Sequence, residues 1–169
     1  MLEAFKHIQK KHPNALLILV PRHLERFNRV KSMVRNSGLT LASRSQKTEI
    51  SEKTQVLLGD TIGELNFLYS LADVAFVGGS LIDHGGQNLL EPSAQSLALL
   101  SGPSLRNFTD ISDELIEKNC LQIVNNSDEL SENFISLIDD RDKLKNSGSS
   151  AFEVFTSNRG ATKVILDQL

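Results

Sequence analysis

Asp73-Val74-Ala75-Phe76-Val77-Gly78-Gly79-Ser80 decides the fold. An apolar run of strand length ends on paired glycines, and a helical pattern follows near Asn88 to Gln95. Pro92 must lie in the first turn of that helix, because deeper in it would break the helix. The same order recurs on either side. Ala15-Leu16-Leu17-Ile18-Leu19-Val20, bounded by Pro13 and Pro21, reads as a strand buried on both faces of a parallel sheet, as does Asp73 to Val77. Leu39 to Ser43, Gln55 to Leu58, Leu97 to Leu100 and residues 120–124 read as further strands. Helical spacing places helices at 2–11 (Leu2, Phe5, Ile8), 24–36 (Leu24, Phe27, Val30, Val34) and 61–71 (Leu65, Leu68, Tyr69). Others are expected at 107–118, from Ser127 or Asp128 to Asp139, and at 159–169 through Val164, Ile165 and Leu169. Ser43 to Lys53 is a polar loop, and Arg141 to Ser150 is a short helix or loop.

Strand and helix alternate throughout, which predicts an α/β domain with about six parallel strands covered on both faces. In such sheets ligands bind beyond the carboxyl ends of the strands. Pro21-Arg22-His23, Gly59 to Glu64, Gly78 to Glu91 and Gly102 to Phe108 all follow strands, so all four are expected at one edge.

Composition narrows the classes. The chain has 169 residues and a net charge of −3, which argues against a nucleic-acid binder with its basic face. Aromatics make up 5% and Trp is absent, so base-stacking platforms are not expected. The single cysteine, Cys120, makes no internal disulfide and reads as a half-buried residue beside a strand, in keeping with a reducing cytoplasm. No apolar run approaches the roughly 20 residues that span a bilayer, and charged residues interrupt any signal peptide near Met1. Gly-x-Gly-x-x-Gly and Gly-Lys-Ser/Thr loops are missing, as are a Gly-x-Ser-x-Gly elbow and His/Cys clusters at metal-ligand spacing.

Six of the ten glycines fall between Gly59 and Gly86. Glycine pairs bare a loop's amides, and a following helix N-terminus adds partial positive charge, which suits phosphate. A nucleotide or nucleotide-sugar site is the reading that explains two such loops; tight strand-to-helix turns would explain one. Arg22 and His23 offer phosphate donors or form a solvated basic turn. Asp60 and Thr61 are good helix caps, but capping leaves Gly63 unexplained. A base resting on the backbone there would explain it. Asn88 and Glu91 are three residues apart, on one face of a helical turn, where a carboxylate suits two ribose hydroxyls. A helix cap explains Asn88 nearly as well. His84, at a loop tip, has no assigned role.

Taken in order, Pro21-Arg22-His23, Leu58-Gly59-Asp60-Thr61-Ile62-Gly63-Glu64-Leu65, Ala72 to Leu81, Gly85-Gly86-Gln87-Asn88-Leu89-Leu90-Glu91-Pro92 and Gly102-Pro103 with Asn107-Phe108 resemble the C-terminal half of the 3-deoxy-D-manno-octulosonic acid (Kdo) transferases. The resemblance spans nearly the whole chain. It implies a Rossmann-like three-layer domain, the donor half of a GT-B glycosyltransferase that moves Kdo from CMP-Kdo onto lipid A precursor at the cytoplasmic face of the inner membrane. It further implies that residues 1–169 begin inside a helix of that half. The acceptor surface, the membrane anchor and the general base would belong to an N-terminal domain, leaving no catalytic residue in this chain.

By the same resemblance Arg22 and His23 meet the donor phosphate, and Gly79 and Ser80 lie beside the donor phosphate or sugar. The backbone of Thr61, Ile62 and Gly63 reads cytosine, and Asn88 and Glu91 take the ribose. Gly78, Gly85, Gly86 and Glu64 support the loops. The transfer is inverting and metal-independent, with no cofactor beyond the donor. Three positions depart from the pattern: Gln87 stands for His, Leu89 for Pro, and Ser104 for the His of Gly-Pro-His. The last puts a sugar contact by that loop in doubt. A GT-B donor domain for a UDP-sugar and a noncatalytic nucleotide-binding module are the alternatives.

Overall fold

The computed structural model describes residues 1–47 and 49–166, and beyond residue 159 its backbone only. The chain forms two compact units, Met1–Leu68 and Tyr69–Leu169.

In the first unit, β1 (Leu17–Leu19), β2 (Leu41–Ser43) and β3 (Val56–Leu58) form a parallel sheet in the order β1-β3-β2. Helices α1 (Leu2–Lys11) and α2 (Phe27–Asn36) carry Phe5 and Val34 into a core with Leu39 and Val56. A second cluster joins Ala42, Leu57 and Leu68, with Ile18 and Val20 packed against it. Here α3 (Leu65–Tyr69) begins.

The second unit holds β4 (Val74–Val77), β5 (Ala98–Ser101) and β6 (Leu121–Ile123), parallel in the order β4-β5-β6. Its helices are α4 (Leu90–Ser93), α5 (Thr109–Glu117), α6 (Ser127–Asp139) and α7 (Arg141–Leu166). Leu89, Leu99, Leu115, Leu121, Ala151 and Val154 build its core. The cap of α6 is Asn126, whose Oδ1 accepts from the amides of Asp128 (3.0 Å) and Glu129 (2.9 Å).

All six expected strands are present and parallel, but they hydrogen-bond as two three-stranded sheets rather than one of six. Their burial corrects another expectation. Only the middle strands β3 and β5 are buried at every residue; β1 is half-buried throughout, and β4 alternates. An apolar run thus marks a strand without saying whether it has neighbours on both sides. Leu24 lies in a 3-10 turn before α2 and is 57% exposed, off the apolar stripe that Val30 and Val34 keep. Cys120 is fully buried rather than half-buried, and burial pushes its thiol up to about 11. Among the described residues no helix is long and apolar enough to cross a membrane.

The largest departure is α7. Arg141 to Ser150 reads as a short helix or loop, yet one long helix runs through it and on to Leu166. Its small residues serve close packing. A Cβ at Gly148 would lie 2.0 Å from the carbonyl oxygen of Ser96, so the helix approaches that backbone as only glycine allows. The final residues of the expected closing helix, 167–169, lie outside the described residues, as do the side chains of Val164 and Ile165. Gly148→Ala should therefore destabilise the protein. In an open helix the change would help by about 1 kcal/mol. Here the overpacking cost of about 1–3 kcal/mol opposes it. Hydrogen exchange at the β5 amides, on which α7 packs, checks the sign, and increased protection in the variant would show that Ser96 yields without cost.

Candidate functional site

In each unit the parallel register brings two post-strand turns to one sheet edge. Leu19 pairs with Leu58 across β1 and β3, so Pro21-Arg22-His23 and Gly59 to Glu64 leave the same edge of the first unit. The Gly59 amide donates to the Leu19 carbonyl at 3.0 Å and holds the two turns side by side. In the second unit Val77 pairs with Ser101, so Gly78-Gly79-Ser80 and Gly102-Pro103-Ser104 are neighbours in the same way.

Arg22 and His23 are both exposed, on the bend that follows β1. The expected helix over 61–71 is shortened to α3, and the residues before it form an open turn. Gly63 has φ +80°, and no heavy atom lies within 4 Å of where its Cβ would be. The conformation calls for glycine, while internal packing does not. Ile62, at the crest, is 76% exposed.

Asp60 and Thr61 do not cap α3. Asp60 is 6% exposed and turned into the unit. Its carboxylate takes Lys31 Nζ at 2.7 Å, Ser43 Oγ at 2.7 Å and the Ser45 amide at 2.8 Å, with the Ser45 hydroxyl also donating. Burial pushes this carboxyl up, but the bonds from Lys31, Ser45 and Ser43 outweigh it and hold the group well below the usual carboxylate range. Thr61 donates its hydroxyl to Glu64, and Glu64 receives both Nε (3.1 Å) and Nη2 (2.8 Å) of Arg44. Those bonds bring the Glu64 carboxyl down to about 2.

In the second unit Asn88 Nδ2 donates to Glu91 Oε1 at 3.3 Å, while Asn88 Oδ1 accepts from the Leu90 amide at 3.0 Å. Asn88 therefore lies one residue before the cap position of α4, which is Leu89, and from there it holds the Leu90 amide and meets Glu91. Pro92 lies in the first turn, as expected. The Tyr69 phenol is pushed up to about 12 by burial first and then by the Glu91 charge. The pair is half-buried at the end of the glycine loop.

Much of the glycine content of that loop is explained from within. A Cβ at Gly85 would lie 2.5 Å from Asn107 Nδ2, and one at Gly86 would lie 2.9 Å from Leu105 Cδ2. These are loop supports against the segment that follows β5. Gly78 has no neighbour within 4 Å of a Cβ, and Gly79 only ordinary contacts, so those two are not needed for internal packing. The Ser80 side chain is removed from any ligand contact. It is fully buried, donates to the Val77 carbonyl at 2.7 Å and accepts the Gly102 amide at 2.8 Å. Ser104 is a brace rather than a stray substitution: its Oγ accepts the Gly85 amide at 2.9 Å and contacts Asp83 Oδ1 at 3.3 Å. Arg106 pairs with the same Asp83. His84 is exposed, and its carbonyl accepts from Asn107 Nδ2 at 3.3 Å.

The sequence reading missed Lys31, Ser43, Arg44 and Ser45. Arg44 follows a strand and so belongs to the same edge as Arg22, a signal that was available. That Asp60 is buried and bonded to residues of other elements was not visible, because Ser45 and Ser43 lie 15 and 17 residues away and Lys31 further still. A concave surface lined by Ile116, Asn119, Gln122, Lys143 and Ser147 opens at the amino end of β6, away from the residues singled out above. Among the described residues no group of three His, Cys, Asp or Glu side chains could hold a metal ion.

Residues 1–154 match the family model for glycosyl transferases group 1. The 3-deoxy-D-manno-octulosonic acid transferase of Haemophilus influenzae is 38% identical over 170 aligned residues, covering the whole of this chain and 40% of that protein. The enzyme of the same name from Aquifex aeolicus is 32% identical over 86% of this chain and 40% of its own length. The crystal structure of the C-terminal CMP-Kdo binding domain of WaaA from Acinetobacter baumannii superposes with a TM-score of 0.85 at 34% identity, covering 90% of this chain and 80% of that one. The chain thus spans less than half the length of the curated relatives it matches.

Proposed function

The chain belongs to the group 1 glycosyl transferases, and we propose that it is the donor-binding part of a Kdo transferase, the part that holds CMP-Kdo. The observation that carries this reading is its likeness, in sequence and in backbone, to the solved Acinetobacter domain. The full protein then transfers Kdo to lipid A precursor in lipopolysaccharide synthesis, at the cytoplasmic face of the inner membrane. The acceptor surface and general base belong to the remaining length seen in the relatives.

Each half-site has a role on this reading. The main chain of Thr61, Ile62 and Gly63 offers a bare, exposed edge to cytosine. Asn88 and Glu91 receive the ribose hydroxyls, the carboxylate accepting both. In the first unit Arg22 and His23 offer donors suited to phosphate, and in the second the amides of Gly79 and Ser80 do so. As the acceptor hydroxyl attacks the anomeric carbon, CMP leaves with growing negative charge on its phosphate. Donors already in position stabilise that charge without reorganising.

The test is a titration of the 169-residue chain by amide NMR with CMP, UMP and UDP. Binding of CMP in preference to both uridine nucleotides, with shifts at Gly63, Gly79 and Glu91, is expected, with no turnover by these residues alone. Preference for UDP would make it the donor domain of a different transferase. Absence of any nucleotide binding would overturn the reading.

A further inference from the structure

Resting on the donor reading above, we propose that Arg44 is a positioning residue for base recognition, setting the turn Thr61–Gly63 through Glu64. The turn has nothing of its own to define it. Gly63 sits at φ +80° in open space, and Ile62 beside it is mostly exposed. What closes the turn is the Glu64 carboxylate, which accepts the Thr61 hydroxyl on one side and both guanidinium donors of Arg44 on the other.

Arg44 is itself held on three sides. Its amide donates to the Leu58 carbonyl at 3.0 Å, extending the β2–β3 pairing by one step. Its neighbours Ser43 and Ser45 are both bonded to Asp60, the residue that leads into the turn. Its guanidinium carbon lies 5.4 Å from the centre of the Phe67 ring, in the first helical turn after Glu64. A fork with both donors engaged and a ring beneath it has one geometry, which a lysine would not share.

Stability does not account for this arrangement. The Arg44 and Glu64 side chains are 43% and 32% exposed, and surface ion pairs contribute little to folding. Held geometry matters where a flexible segment would otherwise be ordered on binding, and a turn fixed beforehand avoids that cost. Cytosine and uracil differ in the donor or acceptor at one ring edge. A loosened turn therefore loses its preference for CMP over UMP, as well as affinity.

The experiment compares the unmodified chain with Arg44→Met and Arg44→Lys by NMR titration with CMP and with UMP, and by thermal denaturation. Arg44→Met is expected to bind CMP roughly five-fold more weakly, the cost of ordering one mobile segment. It should also narrow the CMP-to-UMP preference, shift the Gly63 amide in the free protein, and leave the melting temperature nearly unchanged. Arg44→Lys should recover the charge without recovering the preference. Equal losses for the two nucleotides would make Arg44 a general attractive charge and overturn the inference, as would unaltered CMP affinity in Arg44→Met. Failure of the unmodified chain to bind CMP would remove the donor reading itself, and this inference with it.

Discussion

Replacing Asp60 by Ala should cost the first unit about 3 kcal/mol, the low end of the range for breaking a buried pair. The side chain is 2% exposed and Lys31, its partner at 2.7 Å, only 14%. Removing the carboxylate leaves a shielded ammonium and three donors from two serines without their acceptor, and the loss of these bonds exceeds anything a better-packed methyl returns. Lys31 can swing towards water on its four-carbon stem, which is why the low end applies. Because the chain has two units, a single global unfolding energy is a poor readout. Hydrogen exchange at the β3 amides isolates the effect. Undiminished protection at Leu57 and Leu58 would mean that the cluster contributes nothing to the sheet.

The same group gives a pH dependence whose sign is definite. Its folded-state pKa lies below the free-aspartate value of 3.8. The folded state therefore binds the proton less readily than the unfolded chain. The stabilisation is complete above pH about 4 and drains away as pH falls from there towards the folded value. An Asp60→Asn variant should start less stable at pH 7 and lose less than the parent between pH 4 and pH 2. Parallel acid titrations would contradict the assignment.

Glu91→Ala should weaken CMP binding by about 1.5–3 kcal/mol, roughly ten- to hundred-fold, because the lost bonds are to a charged acceptor. The fold should tolerate the change. Glu91 sits in the first turn of α4, where its interaction with the helix dipole is worth about 0.3–1 kcal/mol, and Asn88 keeps its bond to the Leu90 amide. Isothermal calorimetry with CMP, beside a melting curve, separates the two roles. Equal affinity with a lowered melting temperature would reduce Glu91 to a helix-end charge. Glu91→Gln should fall between, since one of its two acceptor oxygens is replaced by a donor.

Glycines illustrate how far the sequence could be read. Their clustering between Gly59 and Gly86 pointed to ligand approach, yet the structure divides them by cause. At Gly59 a Cβ would lie 2.5 Å from Leu68 Cδ1 and 3.0 Å from Val20 Cγ2, so those packed side chains would have to shift. Gly102 is required because one would strike the backbone of Ser80 at 2.4 Å. Only Gly63, Gly78 and Gly79 have room to spare in this stretch. A glycine near a neighbour and a glycine near a ligand are the same letter, and the neighbour is supplied by chain far away. The expectation of a short helix or loop over Arg141 to Ser150 fell short of α7 for the same reason, since the Ser96 backbone that Gly148 approaches is supplied by chain far away.

The sequence by itself determined what is local or periodic. Six apolar runs of strand length, separated by helical patterns, are enough for parallel strands with right-handed crossovers, since no other connection packs as well. Asn88 and Glu91 meet because they are only three residues apart across the start of α4, Asn88 lying just before the helix and Glu91 in its first turn. Tertiary structure alone decided how the strands divide between two sheets, which of them is central, and which polar groups find partners. Asp60 could have capped α3, and the sequence favours that; the sheet instead presents Lys31, Ser43 and Ser45, and a buried carboxylate goes where its charge is best satisfied. Burial energy depends on every surrounding element at once, and no window of sequence contains them all.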